Sequence, residues 1–95
     1  MNYRLSRSAE DDIIAIYVTG VHKFGLDQAE RYHAGLERLF AFLAENPRAA
    51  RERTELAPPV RVHRYKAHLI LYRIVGSEIL ILRVRHGRED WMNRG

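Results

Sequence analysis

The stretch running from Val60 to Asp90, VRVHRYKAHLILYRIVGSEILILRVRHGRED, decides how the rest of the chain is read. Three apolar runs rich in Val, Ile, Leu and Tyr follow one another there with only a few residues between them, which predicts an antiparallel β-meander. Lys66-Ala67-His68 makes the first turn. Gly76-Ser77 makes the second, because glycine at the first central position suits a tight hairpin. Under a two-residue repeat, Leu80, Leu82, Val84 and His86 share one face of the last run, and Ile79, Ile81, Arg83 and Arg85 share the other. In the middle run Leu69, Leu71, Arg73 and Val75 alternate with Ile70, Tyr72 and Ile74. A sheet apolar on both faces needs a cover on each. The chain's own helices supply one cover, and the partly apolar, Arg-studded face is expected to receive a partner.

Those helices lie upstream. After a short extended start at Tyr3-Arg4-Leu5, Ser6 or Ser8 can cap a helix whose first turn carries Glu10, Asp11 and Asp12 at the positive end of its dipole. Ala9, Ile13, Ile16, Tyr17, Val21 and Phe24 then recur at intervals of three and four, until Gly25 ends the helix. Asp27 and Glu30 form a D-x-x-E start for a second helix, in which Ala29, Tyr32, Leu36, Leu39, Phe40 and Leu43 keep the same period as far as Asn46-Pro47. With so short a link the two helices fold back as an antiparallel hairpin. The segment PRAARERTELAPP, residues 47–59, reads as a connecting loop with a helical turn around Ala50 to Glu55. The expected order is β-α-α-β-β-β, an α+β fold with the N-terminal strand inserted beside one of the later three.

A chain of 95 residues makes one domain, 1–95, with the helical hairpin at about 7–46 and the meander at about 60–87. A domain of that size hides roughly 60 to 65 per cent of its unfolded surface, enough to fold unaided. It has no cysteine, so a disulfide framework and a thiolate metal site are both excluded. No apolar run approaches the length of a membrane span, and the first residues lack the apolar core of a secretory signal, so a cytoplasmic location is expected. The net charge is +4 and the isoelectric point about 9.9. The excess is local: from Arg48 onward eleven Lys and Arg face five Asp and Glu. A basic half favours nucleic acid, an enzyme bound to it, or an acidic protein partner. Neither helix carries the basic face of a DNA-recognition helix, since Glu30, Arg31, Glu37 and Arg38 alternate in sign along the second.

Taken in order, LSRSAEDDIIAIY, FGLDQAERYHAGLERLFAFLAENP, HLILYRI and EILILRVRHGRED resemble the RelE/ParE superfamily of type II toxin–antitoxin toxins, and more closely its ParE branch. The resemblance spans nearly the whole chain, and RVRHGRED is its most family-like part. It implies a RelE/ParE-like fold, an antiparallel sheet packed against a two-helix hairpin. It also implies a cognate ParD-like antitoxin whose C-terminal segment wraps the toxin and whose N-terminal part binds operator DNA. ParE-like members are described as inhibiting DNA gyrase, which would bring DNA in only indirectly. RelE-like members cut mRNA on the ribosome.

For RNA cleavage a base, a set of cations and an acid must converge on one phosphate. His86, beside Arg83 and Arg85, could supply part of this, with Arg61 and Arg64 across on a neighbouring strand. The resemblance argues against it, because RelE-like catalysts use a lysine-rich segment before the second strand and a tyrosine near the C-terminus. The loop 47–59 has no lysine, and no tyrosine follows Tyr72. A non-catalytic reading of His86 is a strand-end imidazole bonded to backbone or to Glu89 or Asp90. His22, His33, His63 and His68 show no metal-ligand spacing, so no metal or cofactor is expected. The residues expected to bind antitoxin or target are Arg83, Arg85, Ile79, Ile81 and Arg73, with Arg88 and Trp91 beyond the last strand. Trp91 could equally act as a lid on the helical hairpin. Guanidinium groups beside buried isoleucines must meet carboxylate, phosphate or water.

Overall fold

A computed structural model describes residues 2–87. Its elements are β1 (Asn2–Leu5), α1 (Arg7–Phe24), α2 (Leu26–Glu45), β2 (Glu52–Arg53), β3 (Val60–Tyr65), β4 (His68–Val75) and β5 (Glu78–His86). The sheet order is β1-β5-β4-β3-β2. The meander and the helical hairpin are where the residue pattern puts them. Two features were not anticipated. β1 runs parallel to β5, so the sheet is mixed. Part of the expected loop, at Glu52 and Arg53, is a short outer strand on β3 in place of a helical turn.

Ser6 caps α1, its hydroxyl accepting from the Ala9 N–H at 3.0 Å. Gly25 closes α1 with φ 90, a value that side chains rarely adopt, and begins α2 in the same step. The hairpin link is therefore this one residue. Asp27 and Glu30 do not form the expected capping pair: no side chain caps α2, and Glu30 instead accepts from the Tyr17 hydroxyl at 2.7 Å, tying the two helices together.

One face of the hairpin closes one face of the sheet. Ala9 and Ile13 of α1 and Leu36, Phe40 and Leu43 of α2 pack with Ile70, Tyr72, Ile79, Ile81 and Val84. Each large apolar side chain buried in this way contributes roughly 1.5 to 3 kcal/mol. Tyr72 is fully buried, and its hydroxyl donates to the Pro47 carbonyl at 2.8 Å, which holds the loop after α2 against the core.

The alternation expected along β5 breaks at one point. Leu71 pairs with Arg83 but Tyr72 pairs with Ile81, so Leu82 has no counterpart and forms a β-bulge. The extra residue exchanges the faces. Ile79 and Ile81 before it and Val84 after it all turn toward the helices, and Ile79 and Ile81 are 0% exposed. The expectation that they share a face with Arg83 and Arg85 is thus corrected: the two isoleucines belong to the core and offer a partner no surface in this arrangement.

Candidate functional surface

The sheet face turned away from the helices is assembled from the other half of each strand. Cross-strand pairing sets Val62 beside Leu71, Arg64 beside Leu69 and Arg73 beside Leu80, with Arg85 opposite Leu69 and Val75 opposite Glu78. Arg73 and Arg64 are exposed, and Val62, Leu69, Val75, Leu80 and Leu82 are half-buried. Among the described residues no helix lies on this face. The partly apolar, Arg-studded surface inferred from the strand pattern is therefore present, though built on leucine and valine and not on Ile79 and Ile81.

Its arginines are not equivalent. Arg83 reaches Asp12 of α1 in a two-pronged contact, Nε to Oδ2 at 2.8 Å and an Nη to Oδ1 at 2.9 Å. Asp12 Oδ2 also accepts the Val84 backbone N–H at 2.9 Å. Burial would raise the Asp12 pKa, but the Arg83 hydrogen bond, the Val84 N–H and the charges of Arg83 and Arg85 outweigh it, and the carboxyl is held below its usual value of 3.8. Arg83 thus joins the sheet to α1. Arg64 donates to the Lys66 carbonyl at 3.1 Å, its guanidinium against Gly87. Arg4 pairs with Glu78 at 2.6 Å at the exposed margin. Arg88 and Trp91, together with Glu89 and Asp90, lie outside the described residues.

The residues considered for ribonuclease chemistry are dispersed. Arg61 sits on the helix side and donates to the Ala50 carbonyl at 2.7 Å, while Arg83 is engaged by Asp12. Strand pairing sets His86 level with His68 and Tyr65, four residues along β3 from Arg61, a separation of about 13 Å at strand rise. No single phosphate could meet all three.

His86 belongs instead to a cluster that the spacing of the histidines concealed. The Tyr32 hydroxyl lies 2.6 Å from His68 Nδ1, the His68 and His86 rings meet edge to face at 5.4 Å, and Lys66 Nζ stands over the Tyr32 and Tyr65 rings at 5.8 and 5.5 Å. Burial pushes the Tyr32 pKa up, and its hydroxyl also donates to the Tyr65 carbonyl at 3.4 Å. These groups border a cleft of about 840 Å³ between the hairpin and the β3–β4 turn. One sequence sign of this packing was available: Gly35 stands mid-helix, where a methyl group would overlap the Tyr65 hydroxyl. Among the described residues no three His, Cys, Asp or Glu groups are placed to hold a metal.

A family model described as "ParE toxin of type II toxin-antitoxin system, parDE" matches residues 3–91. The chain belongs to the ParE toxin family. Relatives of this ParE-family chain include Toxin ParE1 of Mycobacterium tuberculosis, 33% identical over 93% of this chain and 91% of that one. Toxin ParE1 of Caulobacter vibrioides is 32% identical over 88% and 86%, and Toxin ParE of Escherichia coli is 31% identical over 97% and 90%. A solved structure, the chromosomal ParDE TA system from P. aeruginosa, superposes with a TM-score of 0.73 at 27% identity, covering 90% of this chain and 95% of that one. This ParE-family chain is thus a ParE-like toxin component of a type II toxin–antitoxin system with the RelE/ParE-like fold. Among the described residues no helix is long and apolar enough to cross a membrane.

Proposed function

We propose that the protein arrests growth by binding DNA gyrase and that a ParD-type antitoxin neutralises it by covering the open sheet face. The observation that carries the antitoxin assignment is the row of half-buried Val62, Leu69, Val75, Leu80 and Leu82 bordered by Arg73 and Arg85. An apolar strip edged with cations suits a segment that alternates hydrophobic and acidic residues. The gyrase assignment is supported by family membership, and the distance of Arg61 from His86 along the sheet disfavours a nuclease set that includes both.

Producing the toxin without its antitoxin tests the target. Filamentation and a DNA-damage response with translation intact are expected, and prompt translational arrest with cut mRNA would replace this reading with the endonuclease one. For the antitoxin face, Arg73→Glu is expected to weaken the complex by about 1 to 3 kcal/mol in a calorimetric titration while shifting the free toxin's stability by no more than about 0.5 kcal/mol. Unchanged affinity would remove Arg73 from the interface.

A further inference from the structure

The strand registers arrange the arginines of the open sheet face in rows. Arg53 of β2 lies opposite Val60, and the register of β3 on β4, carried one step beyond Arg61 and Tyr72, sets Val60 level with Arg73. Arg73 in turn lies opposite Leu80, and Leu80 opposite Arg4 of β1. Residues paired in this way project to the same side of a sheet. One row therefore reads Arg53, Val60, Arg73, Leu80, Arg4 from margin to margin, with an arginine on every second strand. At about 4.8 Å between strands, the arginine positions in this row stand about 10 Å apart and span about 19 Å. Four residues along β4, about 13 Å away at strand rise, a second row reads Arg64, Leu69, Arg85.

Little negative charge offsets these rows. Glu52 pairs with Arg61 and so lies on the helix side, which leaves Glu78 as the carboxylate that the strands bring to the open face, and Arg4 holds it at 2.6 Å. Among the described residues the Arg53 and Arg73 side chains have no hydrogen-bond or ion-pair partner, and Arg4, Arg64 and Arg73 are exposed. The array also extends in two directions. An extended peptide follows one line and meets one row, whereas a nucleic-acid duplex presents phosphates along two strands, about one charge per 1.7 Å of its axis. Guanidinium forks match phosphate oxygens.

From this layout we infer that the open sheet face binds the phosphate backbone of duplex DNA directly, through Arg53, Arg73 and Arg4 in one row and Arg64 in the other. No helix or ribbon projects from this face to enter a groove, so the contacts follow phosphate and not base sequence. The inference deepens the gyrase reading and rests on it for its role in the cell: the toxin grips the DNA that the enzyme holds, and an antitoxin on the same face excludes that DNA. DNA thus enters directly, and not only through a partner as the resemblance implies.

Fluorescence anisotropy of a short labelled DNA duplex, titrated with the toxin alone in rising salt, tests the inference. Engagement of about three to four phosphates predicts that log K falls against log salt with a slope of about −3 to −4, equally for two unrelated sequences. Arg73→Gln changes an exposed position without a partner, so it should reduce the steepness of that slope by about 1 while the circular dichroism of the toxin is unchanged. Combining Arg53→Gln with Arg73→Gln should weaken binding further. Arg31→Gln with Arg38→Gln on α2 removes the same charge from elsewhere and should leave the slope as it is. Absence of binding at low salt, equal losses in the two double variants, or tighter binding of single-stranded RNA of the same sequence would each overturn the inference. Neither gyrase nor antitoxin is present in this titration, so its failure leaves the readings of both partners standing.

Discussion

Two strands of this sheet outrun their outer neighbours, and the chain treats them differently. β1 ends at Leu5 and leaves the second half of β5 without a flanking strand. There the Ser6 N–H and hydroxyl take the Ile81 and Leu82 carbonyls at 2.9 and 2.7 Å, and Asp12 takes the Val84 N–H at 2.9 Å. β2 is only two residues long, its register sets the Arg51 carbonyl against the Val62 N–H, and β3 runs on beyond it to Tyr65. Helix α1 thus does for β5 what a strand would do, by means of its Ser6 cap and Asp12. The difference separates a margin closed by the cap and side chains of α1 from one flanked only at its start by a short strand.

The contrast is broken most severely from inside β3. Tyr65 and His68 flank a two-residue turn and so exchange hydrogen bonds with each other, and the alternation along the ladder then turns the His63 N–H toward β4. His63→Pro should therefore remove a ladder bond and destabilise the free toxin by about 2 to 3 kcal/mol, measured by chemical denaturation. Retention of full stability would mean that the alternation inferred from the hairpin register is misplaced by one residue.

Next in size is the clamp on β5. Asp12→Ala would leave the Arg83 guanidinium and the Val84 N–H without their carboxylate. Because Arg83 is partly solvated, with a side chain 38% exposed, the cost is discounted to about 2 kcal/mol. The pH dependence has a definite sign. The Asp12 pKa is depressed in the folded state, so its contribution is complete above the unfolded carboxyl value near 3.8 and is lost as pH falls through the folded value. Denaturation midpoints of the wild type and Asp12→Ala should therefore differ at neutral pH and converge in acid. A gap that persists at low pH would show that Asp12 does not act as a carboxylate. The same contact gives Arg83→Glu a different meaning from Arg73→Glu: the former strains the fold itself, and only the latter reports cleanly on binding.

How far the sequence could be read follows from which signals are local. Helical periodicity, the Ser6 cap, Gly25 and the Gly76 turn each depend on a few neighbouring residues, and they located the hairpin and the three long strands. The two-residue repeat also sorted β4 correctly, Ile70 and Tyr72 inward, Leu69 and Arg73 outward. It failed on β5 because a bulge is a mismatch between two strands, and nothing within EILILRVRH marks Leu82 as the residue without a counterpart. The Asp12–Arg83 pair and the Tyr32–His68 contact were hidden for the same reason, being separated by 71 and 36 positions in the chain. Asp12 had been assigned only to the helix dipole, but it stands beyond the first turn of α1, where Glu10 is the acidic residue.

The smallest expected effect on stability is the one that most sharpens the contrast. Arg64 lies one residue from His63 on the same strand, but its N–H points away from β4 beyond the end of β2, so Arg64→Pro deletes no β3–β4 ladder bond and should alter the free toxin's stability by no more than about 1 kcal/mol. Proline also suits the extended conformation that the preceding His63 already adopts within β3. A large loss of stability at Arg64, approaching that expected at His63, would mean that the outer side of β3 beyond β2 is already bonded within the toxin. A small loss, beside a large one at His63, would confirm by stability alone that neighbouring residues of one strand divide their backbone groups between the core ladder and an unoccupied margin.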